Sequence, residues 1–203
     1  MKFYFFIIIV FFHISHSWAI DTKANQAVVV DYNTNEILFE KNSNQKIIPA
    51  SMTKIMTVYV AFDRINNTNL NIEDTCVVSA KAYRTGGSRT FLEIDEQVTI
   101  NTLLKGIIIQ SGNDASVALA ECLAGTENDF ANLMNVYAEK LKMNNTNFTN
   151  SSGWPADNHY STVFDLAILS NSLIRDFPDL YSYFSEKEFT YNDIKQPNRN
   201  RLL

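Results

Sequence analysis

The chain is short of the residues that build metal centres and disulfide frameworks. Its 203 residues include two cysteines and three histidines. A multi-thiolate zinc site or a disulfide scaffold is therefore excluded. Basic residues are outnumbered, 17 against 22 acidic, giving a formal net charge of −5. No Lys/Arg block interrupts that balance, so a nucleic-acid partner, whose phosphates demand a basic face, is not expected. Beyond the first twenty residues no apolar run reaches membrane-spanning length, and no membrane anchor is expected in this chain. What is there, 46% hydrophobic and 19% charged residues, is the composition of a globular protein. The length allows one domain, or little more.

The N-terminus reads as an export signal. Met1-Lys2 precedes the apolar run Phe3 to Phe12, and Ser17 and Ala19 supply small residues at −3 and −1. The run is too short for a layer roughly 30 Å thick. Residues 1–19 are thus expected to be a signal peptide and the protein to be exported, periplasmic or extracellular. Cleavage removes His13 and His16 and leaves His159 as the one histidine. Cys76 and Cys122 have the option of pairing in an oxidising compartment, but buried free thiols are the expected state.

Two β-rich runs, Ala27 to Tyr32 and Glu36 to Glu40, flank the turn cluster Asn33-Thr34-Asn35 and read as a hairpin. Helical spacing follows at Ile55, Met56, Tyr59, Val60 and Phe62. Leu103 to Ile109 reads as a buried helix, and Ser111-Gly112-Asn113 separates it from a second helix that Gly125 closes. Phe130, Leu133, Met134, Tyr137 and Leu141 form one stripe of a further helix. Ser161 is expected to cap the last one, ahead of Leu166, Leu169 and Leu173. The order is two strands, mainly helices, then a short tail.

One histidine limits the chemistry. A serine triad needs His159 as base, yet no Gly-x-Ser-x-Gly elbow presents a serine to it, Gly86-Gly87-Ser88 being the nearest attempt. A surface or hydrogen-bonded side chain near a turn is the expected state of His159. Lysine is the remaining base. Ser-x-x-Lys at a helix start puts both side chains on one face, about 4.5 Å apart along the axis. There, unpaired backbone N–H groups favour developing negative charge, and burial favours the neutral amine. About one such match is expected by chance in a chain this long. Two occur, Ser43-Asn44-Gln45-Lys46 and Ser51-Met52-Thr53-Lys54. Only the second follows Pro49-Ala50 and leads an apolar helix, so Ser51 and Lys54 are the candidates. Ser111-Gly112-Asn113 offers a hydroxyl and an amide on a tight turn. By itself it reads more simply as a helix break with Asn113 or Asp114 as the next cap.

Together, Pro-Ala-Ser-Met-Thr-Lys and Ile-Gln-Ser-Gly-Asn-Asp-Ala-Ser resemble the low-molecular-mass penicillin-binding proteins, the serine D-alanyl-D-alanine carboxypeptidases (peptidase family S11). The resemblance runs from Ala27 to Leu203 and includes Gly86-Gly87-Ser88, Leu104-Lys105-Gly106, Asn158 to Thr162 and Asn198 to Leu203. It implies an α/β (α+β) fold of the β-lactamase/transpeptidase-like kind, with an N-terminal hairpin and a helical cluster. It also implies that Ser51 is the acyl-ester nucleophile, Lys54 its base and Ser111 a proton carrier toward the leaving D-alanine. Asn113 would hold the substrate's peptide amide, and Arg199 matches an arginine placed under the site. The implied substrate is the peptidoglycan stem pentapeptide, the implied inhibitors are β-lactam antibiotics, and no cofactor or metal is implied.

One family motif is not found. Lys-Thr-Gly is expected about a dozen residues past Leu203, so residues 20–203 read as an incomplete catalytic domain with its later sheet strands missing. Loss of one oxyanion donor costs about 100- to 1,000-fold in rate, and little or no turnover is expected of the 203 residues alone. Val28, Val30 and Ile37 are expected to have no sheet to pack on. A non-catalytic remnant of the family is the alternative reading. A serine β-lactamase is the lesser one, and it needs a glutamate-held water that the sequence does not locate.

Overall fold

The computed structural model describes residues 21–203, so the signal-peptide reading of residues 1–19 lies outside the described residues. Strands β1 (Ala27–Val30) and β2 (Ile37–Lys41) pair antiparallel as the expected hairpin. Asp31 builds the turn: its carboxylate accepts from the Asn33 and Thr34 amides and from the Thr34 hydroxyl. This short side chain satisfies the turn's backbone donors locally, the usual Asx device.

Helix α1 (Lys54–Asn67) is the centre of the molecule, packed against α3 (Ile100–Gln110), α4 (Asn113–Ala124), α5 (Glu127–Lys140) and α6 (Val163–Asp176). Neighbours on so many sides bury nearly its whole first half, including Met56, Val60 and Phe62. An apolar face this wide marks a helix inside a cluster rather than on its surface. Ser51 does not belong to α1 itself. It lies on a tight 3-10 turn, Ala50–Thr53, that feeds the helix.

Threonines start three elements. Thr99 accepts from the Thr102 amide ahead of α3, Thr126 from that of Asp129 ahead of α5, and Thr162 from that of Asp165 ahead of α6. The last corrects the expected cap at Ser161. That residue instead exchanges backbone hydrogen bonds with Ile47, in both directions, which ties the start of α6 to the segment before the Ser51 turn.

Two further antiparallel strand pairs are not legible in the sequence. Strands β3 (Thr75–Val77) and β4 (Gln97–Thr99) pair beside α4, with the short helix α2 (Ala80–Arg84) between them in the chain. Strands β5 (Glu188–Tyr191) and β6 (Ile194–Pro197) pack on α3. Strands of three or four residues are too short for alternation to register. Asn192-Asp193 did carry a signal: both residues have positive φ, 46° and 60°, as a two-residue hairpin turn requires. Among the described residues the first hairpin joins no larger sheet, and Val30 and Ile37 instead line a cavity with Phe164, Ala167 and Ile168 of α6, the helix packed on β1.

The cysteines are not free thiols. Cys76 in β3 and Cys122 near the end of α4 form a disulfide, with Cα atoms 5.5 Å apart. Linear spacing could not show this, since it depends on β3 lying against α4. The bridge closes a 46-residue span. Cys122→Ser is expected to lower stability by about 2–4 kcal/mol, read as a fall in the denaturant midpoint. Dithiothreitol should bring the wild type to the same midpoint, and an unmoved midpoint in both would contradict the tether.

Candidate active site

Pro49 lacks an N–H and so suits the entry to a helical turn. Residue Ala50 follows with φ +48°, unusual for a residue bearing a Cβ. On a 3-10 turn, residues three apart eclipse, which stacks Ser51 over Lys54. The serine is exposed while Lys54 is 4% exposed. Lys54 Nζ lies 2.7 Å from Asn113 Oδ1, 2.6 Å from the Ser152 carbonyl oxygen and 3.4 Å from Ser51 Oγ.

Those three contacts set the lysine's chemistry. The two short ones go to oxygens that can only accept, so they take two of its N–H groups. The remaining tetrahedral direction faces Ser51. In the neutral amine, with two N–H groups, it carries the lone pair toward the serine hydroxyl. Burial first, and then the nearby Arg199 charge, together lower the Lys54 pKa from its usual 10.5 to about 8, against the opposing influence of Asp114.

The Ser152 carbonyl reaches Lys54 because Gly153 permits it. Gly153 has φ +81°, and a Cβ there would lie 1.8 Å from the Ala50 carbonyl oxygen. Buried Glu127 holds the same segment, accepting from the Ser151 amide and hydroxyl and pairing with Lys81. The Thr57 hydroxyl donates to the Ser151 carbonyl. These anchors were not legible in the sequence, although a Ser-Ser-Gly run inside a polar connection was a usable hint of tight backbone packing.

From the other side come Ser111 and Asn113. Ser111 ends α3 with φ +62°, and its buried hydroxyl has no hydrogen-bond partner among the described residues. It shares with Ser51 and Lys54 a cavity of about 120 Å³, otherwise apolar, formed in part by Ile107 and Phe184. Asn113 begins α4; its Oδ1 accepts from Lys54 and its Nδ2 donates to the Gly86 carbonyl at 2.8 Å. The Gly86-Gly87-Ser88 loop clamps this turn: the Asn113 amide donates to the Ser88 carbonyl, and Ser88 Oγ donates to that of Gln110. Asp114 is the deeper anchor. Fully buried, it accepts from the amides of Thr90, Phe91, Leu92 and Ala115.

Ser51, Lys54, Ser111 and Asn113 are thus brought together. Arg199 is exposed, its amide bonded to the Ile109 carbonyl, with its charge felt at Lys54. The competing Ser43/Lys46 pair is taken apart: Ser43 Oγ donates to Glu40, and Lys46 lies over the Tyr160 ring. His159 is buried rather than at the surface, bonded to Thr53 and Thr149.

A helical cluster with a hairpin, and a Ser-x-x-Lys turn facing Ser-Gly-Asn, is the architecture of the β-lactamase/transpeptidase-like class. The chain matches the D-alanyl-D-alanine carboxypeptidase family (peptidase S11) over residues 13–203, and it belongs to that family. It is 44% identical to D-alanyl-D-alanine carboxypeptidase DacC of Escherichia coli over 182 residues, covering 87% of this chain and 46% of that protein. The corresponding identity to DacF of Bacillus subtilis is 38%, over 88% of this chain and 45% of DacF. Among solved structures, penicillin binding protein 5 from Haemophilus influenzae superposes with a TM-score of 0.88 at 40% identity, covering 91% of this chain and 54% of that one. The chain spans about half the length of the curated relatives it matches.

The clamp makes a prediction. A Cβ at Gly87 would lie 2.7 Å from Asn113 Nδ2, whereas one at Gly125 meets nothing within 4 Å; both glycines have positive φ. Gly87→Ala and Gly125→Ala should each lose about 1 kcal/mol from the positive φ, and Gly87→Ala more, through the contact with Asn113. Only Gly87→Ala should shift the Asn113 side-chain amide resonances in NMR. Unmoved resonances in that variant would show that the loop does not set Asn113.

Proposed function

We propose that this chain carries the catalytic nucleophile of a serine D-alanyl-D-alanine carboxypeptidase that trims peptidoglycan stem pentapeptides in cell-wall biogenesis. The observation that carries the reading is the buried Lys54 amine, held by two carbonyl oxygens with its third direction on Ser51 Oγ. Neutral Lys54 takes the Ser51 proton, and the oxygen attacks the carbonyl of the penultimate D-alanine. Ser111, its hydroxyl without a partner in the shared cavity, passes a proton to the departing amine. The released product is D-alanine, and water later cleaves the acyl-ester. Asn113 keeps one N–H beyond the bond to Gly86, which serves the substrate's peptide amide. Arg199 adds positive charge beside the site, suited to a substrate that ends in a carboxylate. Penicillins, as mimics of that substrate, acylate Ser51. The N-terminal segment supports export to the periplasm or beyond, where this polymer is built.

The β-lactamase reading requires a carboxylate at the acyl-ester to activate water. The buried carboxylates near the site, Glu127 and Asp114, are committed to backbone amides and to Lys81 or Arg89. Slow release of the penicilloyl group is therefore expected.

Labelled penicillin tests the assignment. Wild-type protein is expected to label covalently, and Ser51→Ala to lose the label. A folded sample that never labels would favour the non-catalytic remnant. The acylation rate should follow the neutral fraction of Lys54. It should fall about tenfold per pH unit below about 8 and level off above, because protonation removes the base. A profile flat from pH 6 to 9 would reject Lys54 as that base. Lys54→Ala should lose the pH dependence together with most of the rate.

A further inference from the structure

The turn that carries Ser51 is short of local support. No side-chain cap precedes it at Pro49 and none is made at its junction with α1, while Ala50 is held at φ +48°. A catalytic hydroxyl on such a turn needs fixing from outside. Thr53 is the residue of the turn whose side chain is buried, and its Oγ1 lies 2.8 Å from His159 Nε2. The chain separation is 106 residues, so the contact is wholly tertiary.

The tautomer of His159 follows from its other nitrogen. Nδ1 lies 3.0 Å from the Thr149 backbone nitrogen, which can only donate, so Nδ1 accepts. Nε2 therefore carries the hydrogen and donates it to Thr53 Oγ1. The ring is 3% exposed and packs edge-on against Phe148, with centroids 5.9 Å apart. Burial holds its pKa below the usual histidine range, in keeping with a neutral ring. An imidazolium would set a second N–H against the Thr149 amide.

We propose that His159 is a positioning residue for acylation: its neutral ring, wedged between the Thr149 amide and the Thr53 hydroxyl, fixes the turn so that Ser51 Oγ stays in line with Lys54. This role rests on the reading of Ser51 as nucleophile. His159 touches neither Ser51 nor Lys54 by hydrogen bond, and it acts through Thr53, the residue between Met52 and Lys54. Gly153, against the Ala50 carbonyl, supports the other end of the same turn. Misplacing a nucleophile by about an ångström can cost a hundredfold in rate, so loss of the strut should appear in the chemical step rather than in antibiotic binding.

The test separates acylation from binding and from folding. Pre-steady-state labelling with fluorescent penicillin gives the acylation rate constant and the dissociation constant of the initial complex; thermal unfolding is followed in parallel. Thr53→Val keeps the shape and removes the acceptor. It is expected to lower the acylation constant about ten- to a hundredfold with the initial complex little weakened, and Thr53→Ser should recover most of the loss. His159→Phe should match Thr53→Val, and the double variant should be no slower than either single one, the signature of one shared interaction. In nitrogen NMR of the wild type, His159 should show a protonated Nε2 and a bare Nδ1. If His159→Phe does not fold, the two Thr53 variants and the NMR spectrum decide. Acylation by Thr53→Val at the wild-type rate, additive losses in the double variant, or an Nδ1–H tautomer would overturn the strut. Ser51→Ala is labelled alongside: label retained there overturns the nucleophile as well, whereas label lost there with Thr53→Val unimpaired overturns the strut alone.

Discussion

A lysine amine buried beside a serine is the constraint to which the rest of the site answers. An ammonium ion removed from water is costly unless it is paired or hydrogen-bonded, and among the described residues no carboxylate pairs with Lys54. Instead it meets two carbonyl oxygens and a hydroxyl. That environment tolerates the charged form while leaving the neutral form attainable, with the pKa brought down to about 8. A carboxylate in either carbonyl's place would have held the proton on. Asp114, fully buried and one residue from Asn113, shows how the conflict is avoided: its charge is spent on four backbone amides.

Each acceptor of Lys54 depends on a different element, which spreads the site across the fold. Asn113 depends on the start of α4 and on the glycine loop at residues 86–88. The Ser152 carbonyl depends on Gly153, on Thr57 and on the Glu127 carboxylate at the start of α5. The Ser51 turn in turn depends on α1, the helix enclosed by four others. Helix packing of this kind resists small displacements because a close-packed interior has few voids to yield into. The disulfide between β3 and α4 adds a covalent tie to the helix that begins with Asn113.

The elements legible in the sequence are those with an apolar stripe, an apolar run or a clear turn signal. Helices α1, α5 and α6 are readable from apolar residues at helical spacing, α3 from the continuous apolar run Leu103 to Ile109, α4 from the Gly125 that closes it, and the first hairpin from the Asn-rich turn its strands flank. Helix α6 even came with its cap one residue out, since Ser161 and Thr162 have equal capping chemistry. The short strands β3 to β6 escaped because three or four residues hold too few alternations to be distinguished from loop. The choice of Ser51 over Ser43 rests on context: a proline-led turn with an apolar helix behind it buries its lysine, and a polar linker does not. His159 was underestimated for the opposite reason. Its neighbours in sequence, Asn158 and Tyr160, describe a turn, while its partners Thr53 and Thr149 come from elsewhere in the chain.

The amino-acid sequence alone determined the chemistry on offer. It supplied one serine–lysine pair at a helix start, a second serine and an amide on a tight turn, and a single histidine beyond residue 19. Residue type and local spacing suffice for that, because the groups that define a reaction class are the side chains themselves. Only the tertiary structure decided the electrostatics and the aim. Whether Lys54 is buried, which carbonyls receive its N–H groups, which tautomer His159 adopts and whether Cys76 meets Cys122 all depend on segments distant in sequence. The physical reason is that hydrogen bonds act over about 3 Å and desolvation requires enclosure from several sides. Both are properties of packed neighbours rather than of neighbouring letters.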